Sequence, residues 1–251
     1  MNRMLEELSM NAWPALRTDH YDGWVLRYAN QYTKRANSIY PLYKGELPYE
    51  EKVAYCEAYY NQHQMPTTFK MNDEEALHGL DIYLEDNGYH VLDPTDMMVL
   101  DLDRIELDLS FEYRVSDGYS DEAARELATS IGAEGDEEHA QLVRATMSTM
   151  MAHISPISFY VFVELDDEII GTGNGVVEQG YVGVFNIVVR EAYRHKGYGT
   201  QILKALLKEG INRGAKKSYL QVVCKNEVAL KLYESMGYEK AYRYWYRRKN
   251  T

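Results

Sequence analysis

Apolar positions recur along this chain in two rhythms, and their alternation sets the class of fold. A run rich in β-branched residues, Val184, Ile187, Val188 and Val189, reads as a buried strand, and an amphipathic helix is predicted over 200–213. Beyond it come a strand at 218–224, a helix at 227–236 and a last strand at 241–248. Before it, 159–164 and 169–177 form a hairpin about Asp166 and Asp167. Helices are predicted at 121–131 and 136–151, parted by the turn-prone residues 132–135, and a strand at 111–115 precedes them. The first hundred residues alternate in the same way. Strands at 21–28 and 32–40 meet at a tight turn on Asn30 and Gln31, followed by a helix at 50–64 and a strand at 67–71. A helix at 73–87, capped by Asn72 or Asp73 and stopped by Gly88, leads to a strand around 97–100. Alternating strands and helices predict an α/β (α+β) protein with mixed central sheets. The charged stretch 101–109 divides it into lobes of 1–104 and 105–251.

Between the strand ending at Val189 and the helix from Thr200 lies Arg194-His195-Lys196-Gly197-Tyr198-Gly199. The first turn of a helix presents N–H groups without intrahelical partners and the positive end of the helix dipole, a natural seat for phosphate. Gly197 and Gly199 keep side chains out of the way, and Arg194 and Lys196 add positive charge. This stretch resembles the pyrophosphate-binding signature of the GNAT superfamily of N-acetyltransferases, in which an Arg or Gln is followed three residues later by Gly and five later by Gly or Ala. The order of elements over 110–250 matches that family as well. A second segment, from Asn226 to Gly237, is similar to the family motif in which an Asn precedes a helix carrying a Tyr seven residues on.

The resemblance implies an acyltransferase (EC 2.3.1 class) with acetyl-CoA as co-substrate and no metal, passing the acetyl group directly to an amine of a small molecule or peptide. It implies that Arg194 to Thr200 hold the diphosphate. The main chain of Ile187, Val188 and Val189 would pair with the pantetheine and the acetyl carbonyl, with Asn226 as a further contact. Capping alone explains Asn226 equally well. Tyr233 would protonate the departing thiolate, since a phenol with a pKa near 10 still holds its proton at neutral pH. For removing the amine proton, Glu164, Glu178 or a chain of waters are the candidates. His195 is expected as a backbone contact and Cys224 as packing. A non-catalytic acyl-CoA sensor, or an enzyme using another acyl-CoA, are the alternatives.

The first half reads as a worn copy of the second. A shift of 149 lays Gly88-Tyr89 on Gly237-Tyr238 and Glu85 on Glu234, but puts Leu77 at the place of Asn226 and Leu84 at that of Tyr233. Residues 45–50 fall where the phosphate loop would be, so the first half is expected to bind no cofactor. Tandem GNAT proteins have this arrangement.

Composition refines the picture. The net charge of −12 is split unevenly, with +10 from residue 190 onward and −22 before it. A basic C-terminal quarter suits a polyanion such as coenzyme A, and the acidic remainder hints at a cationic acceptor and speaks against nucleic acid. Two cysteines, Cys56 and Cys224, far apart, predict neither disulfide nor zinc site and suit a cytoplasmic protein. No stretch reads as a signal peptide or membrane span, and a monomer or homodimer is expected.

Overall fold

A computed structural model of the chain describes residues 2–103, 105–120 and 137–249. The first hairpin joins Arg17–Tyr21 (β1) to Trp24–Tyr28 (β2) through Asp22 and Gly23, both left-handed (φ 41° and 80°), with Tyr21 opposite Trp24. The turn expected at Asn30-Gln31 is therefore not the hairpin's; an Asp-Gly pair is the stronger two-residue turn former. Asn30 and Gln31 do adopt left-handed angles (φ 45° and 60°), but they lead into the 3₁₀ turn Lys34–Ala36, and the expected second strand shortens to Ile39–Tyr40 (β3).

An unforeseen helix, Asn2–Ala12 (α1), buries Leu5, Leu8 and Ala12 along one stripe. Then follow Tyr49–Gln62 (α2), Thr68–Asn72 (β4), His78–Asp86 (α3) and His90–Asp101 (β5). The α3 helix starts later than expected: the Asn72 side chain accepts from the Glu74 N–H at 3.1 Å, and a 3₁₀ turn, Glu75–Leu77, intervenes. The second half contains Arg114–Asp117 (β6), Glu137–Ala152 (α4), Ile157–Leu165 (β7), Glu168–Glu178 (β8) and Tyr181–Val189 (β9). It ends with Tyr198–Asn212 (α5), Lys217–Val223 (β10), Glu227–Ser235 (α6) and Glu239–Arg248 (β11). The helix expected at 121–131 and the turn after it lie outside the described residues.

Among the described residues, eleven strands join one mixed sheet in the order β1-β2-β3-β4-β11-β5-β10-β9-β8-β7-β6. Adding 149 to the first residues of α2 and α3 gives the first residues of α5 and α6, so the worn copy is visible in the helices themselves. The same shift carries β4 onto β10 and β5 onto β11, yet in neither half do the two strands lie side by side: β4 is not next to β5, nor β10 next to β11. Instead β4 pairs with β11 (Asn72 opposite Tyr244), β10 pairs with β5 (Val223 opposite Thr95), and β5 pairs with β11 in the middle. Each half thus lends its last strand to the other, and backbone hydrogen bonding runs between the halves in both directions.

Alternate residues of the central strands face opposite layers. Met97, Tyr242, Tyr244 and Tyr246 pack with α1 and α4, whereas Met98, Leu100, Leu220 and Val222 pack with α5 and Trp245 sits in the cluster of α2 and α3. Helix α5 lies close on the sheet because β8 offers it glycine: a Cβ at Gly171 would stand 2.8 Å from Ile202 Cδ1, and one at Gly173 2.9 Å from Leu206 Cδ1. That accounts for Gly171 and Gly173 in the run Gly171-Thr-Gly-Asn-Gly175, whereas Gly175 makes room for the Phe159 ring of β7, 2.3 Å from where its Cβ would stand.

Candidate active site

The sheet splits beside β9. Parallel pairing of β9 with β10 is confined to Tyr181, Val182 and Gly183 against Lys217, Ser218 and Tyr219, although β10 stays bonded to β5 along its whole length. Two features prise the strands apart. Asn186 is left-handed (φ 51°) and stands as an extra residue against β8, a bulge that bends β9. Below it, Ser218 Oγ donates to the Val182 carbonyl at 3.0 Å and pins the closed end of the split. As a result Val182 to Phe185 are buried, but Asn186 to Val189 are only half-buried. The gap, about 100 Å³, is lined by Val184, Phe185, Asn186 and Ile187 from β9, Leu220 and Gln221 from β10, Tyr233 from α6 and Arg35.

At the far end of β9 the chain turns through Glu191–Tyr193 and reaches α5 with His195 and Gly197 both left-handed (φ 61° and 84°). Gly197 is the N-cap and gives no side-chain cap, so the N–H groups of Tyr198, Gly199 and Thr200 have no i−4 carbonyl in the helix. A Cβ at Gly199 would meet nothing nearer than Val189 Cγ2 at 4.0 Å, which leaves open space over the helix start. Arg194, His195 and Lys196 are exposed around it. Arg194 Nε donates to the Val189 carbonyl at 3.1 Å, Lys196 lies over the Tyr193 ring, and Tyr198 stacks on Phe111.

The equivalent loop of the first half shows what such a turn does. Glu46 and Leu47, which the 149 shift places on His195 and Lys196, donate their N–H groups to the Asp22 carboxylate at 2.9–3.0 Å. Lys52 adds an ion pair to it at 2.9 Å. A carboxylate of the chain itself fills the anion seat, and a Cβ at Gly45 would collide with it at 2.1 Å. The first-half loop is closed by its own aspartate; the second-half loop has no such plug among the described residues.

Asn226 caps α6, accepting from the Ala229 N–H at 3.1 Å, so its capping role is realised. Tyr233 projects from that helix with its ring edge-on to Tyr238 at 5.9 Å. Burial raises its phenol above the ordinary tyrosine value, so it keeps its proton at neutral pH. Cys224 gives its N–H to the Pro94 carbonyl, and burial, helped by Asp96, holds its thiol protonated.

The two carboxylates considered as bases lie elsewhere. Glu164 pairs with Arg114 at 2.7 Å on the outer strands, and Glu178, at the β8–β9 turn, accepts from Asn11 at 2.9 and 3.1 Å. Glu178 lines a larger cavity of about 590 Å³ with Asn11, Arg27 and His153, which shares no residue with the gap. Among the described residues no cluster of His, Cys, Asp or Glu has the makings of a metal site, and no helix is long and apolar enough to cross a membrane. Sequence reasoning missed Arg35: the signal was a single basic residue in a loop read as strand.

Comparison with known proteins gives concordant matches. Residues 2–146 match the family described as probable histone acetyltransferase Rv0428c C-terminal, and residues 122–238 match the acetyltransferase (GNAT) family. The uncharacterized N-acetyltransferase YobR of Bacillus subtilis (strain 168) is 26% identical over 253 residues, covering 98% of this chain and 97% of that protein. Among solved structures, a GCN5-related N-acetyltransferase from Kribbella flavida superposes with a TM-score of 0.73 at 13% identity, over 99% of this chain and 95% of the other. A tandem GNAT protein from the clavulanic acid biosynthesis pathway, solved without AcCoA, gives 0.65 at 14% identity, over 98% and 88%. Both superpositions speak for the fold.

Proposed function

The chain belongs to the GNAT N-acetyltransferases as a tandem member, through its match to the Rv0428c C-terminal family, and we propose that its second half transfers the acetyl group of acetyl-CoA to a small amine. The observation that carries this reading is the split between β9 and β10 directly before an open helix start. Strand β9 has no β10 partner beyond Gly183, which leaves its edge from Asn186 to Val188 open toward the gap, and the turn at its end offers N–H groups to a diphosphate. The first-half loop holds a carboxylate on the N–H groups of Glu46 and Leu47, which the shift lays on His195 and Lys196 just ahead of the helix, and this supports the use of the second loop as an anion seat.

In this reading the amine nitrogen attacks the thioester carbonyl, the C–N bond forms and the C–S bond breaks. Tyr233 gives its proton to the departing sulfur, a role its raised pKa suits. The lining of the gap contains Asn186 and Gln221 but no carboxylate, so the amine proton leaves through water ordered by these amides. Rate enhancement then rests on alignment by the strand and on its N–H groups facing the carbonyl oxygen. The half-buried thiol of Cys224 stays out of the transfer, and the protein works in a reducing cytoplasm as a monomer or homodimer.

The test is direct. Calorimetry of the purified protein with coenzyme A should show one site per chain, and acetyl-CoA with a panel of amines should release free thiol. Absence of coenzyme A binding would overturn the proposal.

A further inference from the structure

Resting on that reading, we propose that the acceptor amine carries a carboxylate, as an amino acid does, and that Arg35 holds it across the gap from β9. Among the described residues the other buried cations have their acceptors, and half-buried Arg248, which bonds to the Thr68 hydroxyl at 3.0 Å, lines a different cavity. Lys70 pairs with Glu6, Lys52 with Asp22, Arg213 with Glu209 and Asp117, and Arg247 with Asp81 and Glu85. Arg27, the remaining deep one, spends its guanidinium on the carbonyls of Met10, Trp13 and Arg35 and on the Tyr40 hydroxyl. Arg35 differs. A guanidinium has five N–H donors, and among the described residues the side chain of Arg35 finds one partner, the hydroxyl of Tyr244. No described carboxylate pairs with it. A cation partly withdrawn from water and left with donors to spare is costly unless an anion completes it.

The placement of Arg35 is fixed from behind. Its own carbonyl accepts from Arg27 Nη1 at 2.6 Å and from the Tyr40 hydroxyl at 2.7 Å, while Tyr244 passes its proton on to Gln221 Oε1 at 2.6 Å. Its side chain therefore lines the gap opposite Asn186 and Ile187 by construction.

A second observation points the same way. Four buried side-chain polar atoms lack partners among the described residues: Trp13 Nε1, Asn174 Nδ2, and the hydroxyls of Tyr160 and Tyr246. All belong to the layer between the sheet and α1 and α4, the face on which Arg35 lies. Asn174 accepts from Asn186 in the gap wall, Trp13 packs on the gap residue Phe185, and Tyr246 lies close to Arg35. None of the four lines the gap itself, but Trp13 and Asn174 have hydrogens to give and the two hydroxyls have them too, so the layer behind the gap is richer in donors than in acceptors. The acyl end of acetyl-CoA is neutral and its diphosphate belongs at the start of α5, so the anion must come with the second substrate.

The experiment compares kcat/KM for L-amino acids, the matching amino-acid amides, O-phosphoethanolamine and a lysine-rich peptide, all with acetyl-CoA. Coenzyme A affinity is measured separately by calorimetry, so that a failure of cofactor binding is seen as such. The expected result is a preference of at least tenfold for an acid over its amide, lost in Arg35→Met and partly restored in Arg35→Lys. Coenzyme A affinity and the melting temperature of Arg35→Met should stay near those of the unaltered protein. Amides, phosphoethanolamine or the peptide used as well as the acids, or an Arg35→Met variant that keeps the acid preference, would overturn the proposal.

Discussion

Lys70 in β4 donates to Glu6 in α1 at 2.6 Å, with the two side chains 2% and 3% exposed. Tyr242 in β11 donates to the other Glu6 oxygen at 2.8 Å, so the pair ties the N-terminal helix to two strands that come from opposite halves of the chain. Removing one member of a buried pair leaves a charge without its counterion and costs about 3–5 kcal/mol. Here Lys70 also lies over the Tyr244 ring at 3.9 Å and the Tyr40 ring at 5.0 Å, which places the cost toward the lower end. Glu6→Gln should therefore lower the melting temperature by about 10 °C. Glu6→Gln combined with Lys70→Met should recover most of it. A melting curve of the single variant superimposable on the unaltered protein would show that the pair contributes nothing.

The two glycines before and within α5 separate strain from ligand space. Gly197 sits at φ 84°, where an alanine is strained by about 1–2 kcal/mol, so Gly197→Ala should lose both stability and coenzyme A affinity. Gly199 has free room above it and lies inside the helix, where alanine is favoured by roughly 0.5–1 kcal/mol. Gly199→Ala, whose alanine the signature admits at this place, should leave the melting temperature unchanged or raised and keep coenzyme A affinity, whereas Gly199→Glu, which brings a bulky anion into that room, should weaken coenzyme A binding at least tenfold in calorimetry. Normal affinity in Gly199→Glu would remove the helix start from the binding site.

Much of this architecture is legible in the chain because it is local. Val182 to Val189 could only be a strand, Asp166-Asp167 supplies the left-handed hairpin turn, and Gly88 and Gly237 end helices in positive φ. The phosphate loop is legible for the same reason, since Gly197 and Gly199 answer to the geometry of a few neighbouring residues. The exchange of β5 and β11 is not legible: each strand has the same apolar alternation whether it pairs with its own half or the other, so register is settled by long-range packing. The bases were misplaced on similar grounds. Glu164 and Glu178 sit on strands adjoining the site in sequence order, but the first faces Arg114 and the second Asn11. Arg35 carries no local mark because its significance lies in what it fails to find in three dimensions.

Tyr233→Phe retains the ring that packs against Tyr238 and removes the proton. The kcat of acetyl transfer should fall by about 10²-fold, with coenzyme A affinity unchanged, as expected for loss of a general acid. Single-turnover thiol release is the measurement, and an unchanged rate would assign protonation of the leaving group to water.

Asp22 makes an acid-range prediction. Its carboxylate accepts from the Glu46 and Leu47 N–H groups and pairs with Lys52, and the Glu46 hydrogen bond, followed by that of Lys52, lowers its pKa to about 2. A folded-state pKa below the ordinary aspartate value of about 3.9 means stability that is present above that pH and lost as pH falls toward 2. The unaltered protein should therefore be more stable than Asp22→Asn at pH 6, and the difference between their melting temperatures should shrink between pH 4 and pH 2. A difference that stays constant over that range would mean that Asp22 acts through packing alone.

The exchanged strands make the two halves a single folding unit. If each half folded alone, Trp24 in β2 of the first half and Trp245 in β11 of the second would report separate transitions. Instead Trp245 Nε1 donates to Asp81 of α3 at 2.8 Å, Arg247 beside it grips both Asp81 and Glu85, and β11 supplies partners to β4 and β5 at once. Chemical unfolding should therefore give one cooperative transition by tryptophan fluorescence and by circular dichroism, with coincident midpoints. Arg247→Ala strips the second-half strand of its hold on α3 and leaves Asp81 with one acceptor bond, from Trp245. It should lower the common midpoint without splitting the transition. Two resolved transitions in the unaltered protein would show that the shared sheet does not couple the halves.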